Sequence, residues 1–485
     1  MTPVRPMISL PFLLALSILL PAPALAETGV APDDPHEALS RQVDALFQRW
    51  HRPDSPGAAV LVMRGGEVVH AKGYGMASLE HGVPIRPGTV FDIASISKQF
   101  AGMAVAMLVE EGVLSLDDDV REYIPELPDF GETIRIRHLV HHTSGLRDWP
   151  GTLGMAGWDW MDVISFEQIL EMAFHQRELN FRPGEEYAYS NTGYNLLAEV
   201  VARVTGQSFR AWTEEHIFAP LGMHRTHFHD DHTEVVPDRA ESYRPGENGD
   251  FRRVTSNLTA IGSSSLFTTV EDLARWLGHL DDPGVGGRAV VERMHERGVL
   301  NGGDTISYAY GLFVDEHRGA TTVGHGGSWA GYRTNLLRFP EHELSVVILA
   351  NVSDLGPGPL GYRIAELYLD GVLDPVAEDD AESAGAQALG TEAPEHRLTL
   401  EELREYEGEY RSDEILTSHR LRVEDGVLVA EHFRTGRRTL RPVEEDVFQA
   451  PGFGRIEFLR DGNGKVTAFT ANSVRIRGLR FDRVP

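Results

Sequence analysis

The run Phe100-Ala-Gly-Met-Ala-Val-Ala-Met-Leu-Val109 is apolar on every face of a helix, and a helix that is apolar all round is enclosed on all sides. Whatever this chain folds into must therefore wrap other elements around that segment. Its N-terminal end is then held rigidly at low dielectric, and that end reads Ser95-Ile96-Ser97-Lys98. A Ser and a Lys three apart share one helix face, with Cβ atoms about 5–6 Å apart. A serine hydroxyl is a poor nucleophile until a neighbouring base takes its proton. Burial can strip the proton from a lysine but not from an arginine. The chain has only three lysines, Lys72, Lys98 and Lys465, among 45 basic residues, which singles out Lys98 as a residue placed to be deprotonated.

Around this helix the hydrophobic pattern changes twice. Ala58–Arg64 and Glu67–Tyr74 read as strands joined by a tight turn at Gly65-Gly66. An amphipathic helix precedes them, with Leu39, Val43, Leu46, Phe47 and Trp50 at helical spacing. Residues 114–280 read mostly as helices and loops, with helices expected at Tyr194–Thr205 and Val270–Leu280. Strand patterns return at 311–315, 320–324, 332–339 and 344–350, followed by a helix over 361–369. Strands early, helices in the middle and strands late predict an α/β (α+β) domain over 27–373, an antiparallel sheet built from both chain ends with a helical subdomain. Residues 374–397 have linker composition. In 398–485 a short helix and six alternating runs, with turns at Asp425-Gly426 and Asp461-Gly462, predict a small antiparallel barrel or sandwich.

Arg5, the apolar stretch Ile8–Leu20 and Ala24-Leu25-Ala26 read as a cleavable signal peptide over 1–26, so the chain is expected to be periplasmic or secreted, without a stable membrane anchor after cleavage. It contains no cysteine, which excludes a disulfide framework and a lipidated thiol. A net charge of −28 argues against nucleic-acid partners.

Two further stretches carry chemistry. Tyr189-Ser190-Asn191 offers a phenol and, two residues on, an amide suited to a substrate carbonyl. Gly324-His325-Gly326-Gly327-Ser328 reads as a strand edge whose glycines let a substrate lie against the backbone. In this order, S-x-x-K, Y-x-N and H-x-G resemble the serine β-lactamase-related family, the group of class C β-lactamases, DD-peptidases, D-aminopeptidases and family VIII-type esterases. His141-His142-Thr143-Ser144-Gly145-Leu146, Pro220-Leu221-Gly222-Met223 and Gly262–Ala274 match as well. Tyr406-Glu-Gly-Glu-Tyr410 and the later runs look like the lipocalin-like module appended to some of these hydrolases.

The resemblance implies Ser95 as the acylated nucleophile, with Lys98 and Tyr189 sharing the proton transfers. It implies Asn191, His325 and Gly327 as substrate-binding residues, and the backbone N–H groups of Ser95 and Ser328 as an oxyanion hole. No cofactor is implied. Where the β-lactamase form of the third motif carries Lys, this chain has His325, which tilts the expected substrate toward esters or short D-amino-acid peptides and amides. The alternatives are a β-lactamase or DD-carboxypeptidase, and a non-turnover penicillin-recognising or scaffold protein. Partners are expected to be small ester, peptide or β-lactam-like molecules, with homo-oligomers allowed.

One rival is metallic. His227-Phe-His229-Asp-Asp231-His232 matches the zinc signature of the metallo-β-lactamase fold, but its flanks lack the strand and helix that would position it. The segment is expected to be a solvated His-rich loop, with no catalytic metal. His138, His141 and His142 are expected to make structural hydrogen bonds, and Ser144 to sit in a turn. No G-x-S-x-G occurs, which argues against a nucleophile elbow.

Overall fold

The computed structural model describes residues 35–375 and 396–485. The signal peptide expected over 1–26, and most of the linker expected over 374–397, lie outside them. Among the described residues no helix is long and apolar enough to cross a membrane.

The larger part is organised on a six-stranded antiparallel sheet. In spatial order its strands are Phe313–His317, Ala320–Trp329, Tyr332–Phe339, Leu344–Ala350, Ala58–Arg64 and Glu67–Tyr74. The two ends of this region meet along one ladder, from Ala58 opposite Ala350 to Arg64 opposite Leu344. Leu344–Ala350 is buried throughout and shows no apolar–polar alternation, because both faces of the sheet are covered. On one face Ala59, Leu61 and Met63 pack with the helix Lys98–Glu110. On the other, Val60, Val62 and Ile348 pack against Val43 and Phe47 of the helix Pro35–Phe47 and Ile364 of the helix Pro357–Tyr368. Each of the Leu, Met, Val, Ile and Phe side chains among these contributes about 1.5–3 kcal/mol when fully buried. The Gly65-Gly66 turn has positive φ at both residues, 58° and 78°, the geometry whose twist matches that of the flanking strands.

The helix expected from its apolar surround is enclosed as anticipated, with Lys98 through Leu108 all buried. A smaller three-stranded sheet, Phe91–Asp92, Leu266–Thr268 and His227–Phe228, feeds the chain into it. The helix expected at Tyr194–Thr205 starts earlier, at Asn191, and ends at Gly206 with φ 70°.

The C-terminal part is a closed eight-stranded barrel rather than a sandwich. Two of its strands, Gly408–Ser412 and Val447–Ala450, were not expected from the pattern. The first closes the barrel by pairing with Ile476–Arg483. Tyr406, Tyr410, Phe448, Phe453, Phe458, Phe469 and Phe481 are buried together in its interior, so the barrel is packed like a core.

The barrel docks on residues 147–186. Buried Arg147 pairs with buried Glu414 and donates from Nε and Nη2 to the Arg477 carbonyl at 3.2 and 2.8 Å. Asn180 Nδ2 donates to the Arg475 carbonyl at 2.9 Å, and Arg477 N donates back to Asn180 Oδ1 at 2.7 Å. Met155 contributes its side chain to the barrel core.

Candidate active site

Ser95 stands in a 3₁₀ turn, Ala94–Ser97, at the mouth of the buried helix. The turn is forced. Ala94 has φ 48°, a left-handed conformation that costs a non-glycine residue about 1–2 kcal/mol, and it is held because Asp92 Oδ1 accepts its N–H at 2.8 Å. Burial pushes the Asp92 carboxyl up to about 6, with the Ala94 N–H and the Arg239 charge opposing. Ser97 Oγ donates to the Ala94 carbonyl and accepts from Leu266 N at 3.3 Å. The second serine of the motif is thus committed to structure, while half-buried Ser95 faces the cleft.

Lys98 is fully buried. Its Nζ donates to Asn191 Oδ1 and to the Ser263 carbonyl, both at 2.7 Å, and lies 3.3 Å from Ser95 Oγ. A neutral amine has two hydrogens and one lone pair. In that neutral form the two short acceptors would take both hydrogens and leave the lone pair for the Ser95 hydroxyl. Burial drives the Lys98 pKa well below its usual value; Asp148 opposes this and Arg475 reinforces it.

The Tyr189 ring lies 4.8 Å from Lys98 Nζ. Its hydroxyl is buried without a close hydrogen-bond partner among the described residues, and burial raises its pKa far above that of an ordinary phenol, eased by Ser95. It is therefore a protonated phenol at neutral pH. Asn191, at the first turn of its helix, donates from N and Nδ2 to Asp148 Oδ1 at 2.7 and 2.9 Å. Asn191 thus links Lys98 to Asp148 and keeps one amide hydrogen in reserve.

His325 sits on the strand Ala320–Trp329. The neighbouring strand pairs only as far as Gly324, so His325 to Trp329 form an open edge along the cleft. His325 donates from Nδ1 to the Gly326 carbonyl and accepts from the Tyr308 hydroxyl at Nε2, 3.1 Å away. Burial, with the Lys98 charge second, pushes its pKa down to about 3, so His325 brings no positive charge. Gly327 is there because nothing larger fits. A Cβ on it would lie 2.2 Å from Thr334 Oγ1 and 2.4 Å from the Ile93 carbonyl oxygen. Gly327→Ala is expected to push this edge away from the Ser95 turn and lower kcat/KM about 10²-fold, as displacements near 1 Å do. Steady-state kinetics beside a thermal melt would check this, the melt changing far less than the rate.

The expected structural histidines are placed accordingly. His142 is buried against the rings of Tyr189, Tyr194 and Tyr308, and its Nδ1 accepts from Ser190 N at 3.1 Å. The His141 ring nitrogens lie 3.1 and 3.2 Å from the carbonyl oxygens of Arg137 and Glu296, one of which accepts its single N–H, and His138 Nδ1 accepts from Arg135 N. Ser144 Oγ caps a turn by accepting from Leu146 N.

The expectation of a solvated loop at 227–232 is corrected. Asp231 and His232 are exposed, Asp231 being taken up by Thr233. His229 is buried, because the strand His227–Phe228 pairs with Leu266–Thr268 and His229 N donates to the Ser265 carbonyl at 2.7 Å.

Several cleft residues carried no motif in the sequence. The cleft, about 920 Å³, is lined by Ser95, Tyr189, Asn191 and the open edge, but also by Trp149, Trp160, Trp329, Arg475 and Arg477. Trp329 lies 5.7 Å from Trp149 and 5.3 Å from Trp160, ring to ring. Arg475 comes from the turn between the last two barrel strands. Its guanidinium lies 4.7 Å from the Tyr189 ring, and Nη1 bonds Asp148 Oδ2 at 3.0 Å. Arg477 forks onto Glu186 at 3.1 and 2.8 Å. No Asp or Glu lines the cleft among the described residues. Asp148 and Arg475 had no sequence signal, since only the docking of the barrel brings them together.

A β-lactamase family profile matches residues 43–368. Over 327 residues the chain is 28% identical to a penicillin-binding protein of Bacillus subtilis, covering 64% of this chain and 71% of that one. It is 29% identical over 313 residues to a D-aminopeptidase of Gluconobacter oxydans, covering 64% of this chain and 58% of the aminopeptidase. The solved structure of the octameric penicillin-binding protein homologue from Pyrococcus abyssi aligns with a TM-score of 0.61 and 25% identity, over 92% of this chain and 98% of that one.

Proposed function

The chain belongs to the β-lactamase family, and on that premise we propose that it is an exported serine hydrolase working through an acyl-enzyme on Ser95. The observation that carries this reading is the geometry at Lys98, which is buried 3.3 Å from Ser95 Oγ with two short acceptors for the hydrogens of its neutral form. Lys98 takes the proton as Ser95 Oγ attacks the substrate carbonyl. The backbone N–H groups of Ser95 and Ser328 hold the developing oxyanion, a device worth about 2.7–4 kcal/mol per donor. Tyr189, kept protonated by burial, passes a proton to the leaving group and regains one from the Lys98 ammonium beside it. Water then attacks the acyl carbon, giving its proton to Lys98, which returns it to Ser95 Oγ as the acyl group leaves as the acid. Asn191 positions Lys98 and turns its remaining N–H to the substrate, while His325 and Gly327 shape the edge on which the substrate lies. Residues 27–373 form the hydrolase domain in this reading, and 398–485 a lipocalin-like barrel that closes one side of the cleft.

Esters and short peptides or amides are the proposed substrate class. The lining of the cleft sharpens it. With two arginines and no carboxylate at the wall, a free ammonium group, as an aminopeptidase substrate carries, finds no partner. The tryptophan wall suits an apolar or aromatic acyl group, and Arg475 suits a substrate carboxylate. This favours carboxylate-bearing peptides or acyl esters over D-aminopeptidase substrates, and it supports the DD-carboxypeptidase alternative.

The test is a panel of p-nitrophenyl esters, D-amino-acid anilides, a D-Ala-D-Ala peptide and a chromogenic cephalosporin. Turnover of esters or carboxylate-ended peptides above the anilides supports the reading; a single stoichiometric acylation without turnover supports the binding-protein alternative. Arg475→Gln is expected to raise KM for a carboxylate-bearing substrate about tenfold, or roughly 1.4 kcal/mol, and to leave a neutral ester's KM unchanged. Because Arg475 lowers the Lys98 pKa, the same change moves the acid limb of kcat/KM to higher pH. Self-assembly, supported by the octameric homologue, is a proposal that light scattering on the full chain decides.

A further inference from the structure

The motif that the hydrolase reading leaves unused is the histidine-rich stretch. His227 and His229 alternate in extended backbone and so share a face. Here they meet Glu234, which returns from the following turn, and one donor atom from each of the three lies within 4.8 Å of the others. His229 is 2% exposed, yet neither of its ring nitrogens has a hydrogen-bond partner among the described residues, nor has His227 Nε2. Leaving a buried polar group unpaired costs about 1–3 kcal/mol, so one orphaned nitrogen from each imidazole, beside one carboxylate, calls for a common partner.

We propose that His227, His229 and Glu234 form a structural site for a zinc-class divalent metal, with a fourth position left to water. Two imidazoles and a carboxylate are a donor set suited to tetrahedral zinc, whose bonds of about 2.0–2.1 Å place ligand atoms roughly 3.3 Å apart. Binding would require side-chain rotations that draw the donor atoms in from their present spacing of up to 4.8 Å. Arg210 already orients the Glu234 carboxylate through two bonds of 2.6 and 2.9 Å, as groups behind metal ligands commonly do. Asp230 and Glu234 balance Arg210 and Arg239, so no net positive patch opposes a dication. Asp231 and His232 of the sequence motif take no part.

The site lies on the outer strand of the small sheet. Phe267 pairs with His227 on one side and with Asp92 on the other, and Asp92 holds the turn that carries Ser95. A metal here pins that sheet without touching the cleft, so its presence is independent of the hydrolase reading.

The test uses the full chain stripped with EDTA and titrated with cobalt(II), then zinc. One equivalent of cobalt is expected to give intense visible d–d absorption of four-coordinate metal, to be displaced by zinc, and to raise Tm. His227→Gln and His229→Ala are each expected to weaken binding at least tenfold. Zinc X-ray absorption on the unaltered protein is expected to report two imidazoles and one carboxylate oxygen, which needs no variant to fold. Absence of a stoichiometric cobalt signal overturns the proposal, as does a zinc spectrum without imidazole or a signal that persists in both folded variants.

Discussion

Ser95→Ala is expected to lower kcat/KM for the best substrate about 10⁴- to 10⁶-fold while leaving the fold intact. The size follows from the loss of covalent chemistry, since what survives removal of a nucleophile is only binding and oxyanion stabilisation. Stability should change little, because Ser95 is half-exposed and its Oγ has Lys98 as its hydrogen-bonding neighbour at 3.3 Å. Ser97→Ala is the matching control. Ser97 bonds the Ala94 carbonyl and Leu266 N, so its removal should loosen the turn and cost far less in rate than loss of Ser95. Rates for both variants, compared on one ester, separate a nucleophile from a serine that holds the turn.

Lys98→Arg and Lys98→Met are each expected to cost at least about 10³-fold in kcat, the upper part of the range for a positioned proton acceptor joined to its nucleophile. Arginine keeps the charge but cannot give up a proton, and methionine keeps the buried stem without either. If a cation were what mattered, arginine would rescue activity and methionine would not. In the wild type, kcat/KM should rise with pH as Lys98 deprotonates, at a pH well below the ordinary lysine value of 10.5 because burial disfavours the ammonium. No alkaline fall is expected near the ordinary phenol value of 10, since Tyr189 holds its proton beyond it. The same burial links to stability. The unfolded chain binds the Lys98 proton more tightly than the native one, so wild-type stability rises with pH between the lowered native pKa and 10.5. Lys98→Met should flatten that slope, which urea titrations at several pH values would detect.

Much of this was legible in the sequence where one cause dominated. Tyr332–Phe339 and Leu344–Ala350 were read to the residue, the second because a strand covered on both faces is apolar throughout. The enclosed helix was legible for the same reason. Strands with few buried positions were not. In Gly408–Ser412 only Tyr410 and Ser412 are buried, and Val447–Ala450 has four residues. The histidine stretch misled because His229 is buried by pairing with a strand distant in the chain. In the site, Ser95 and Lys98 stood out by local chemistry and spacing, while Tyr189, Asn191 and His325 were named through the family resemblance that the three short motifs carry. Asp148 and Arg475 could not, since they meet only across 327 residues of chain.

The central claim is a covalent bond to Ser95, and intact-mass measurement tests it most directly. The protein is mixed with a slow activated ester, quenched in acid during turnover, weighed and digested. A single acyl adduct mapped to the peptide holding Ser95, absent from Ser95→Ala, is the predicted result. An adduct on another residue, or full turnover by Ser95→Ala, would contradict it.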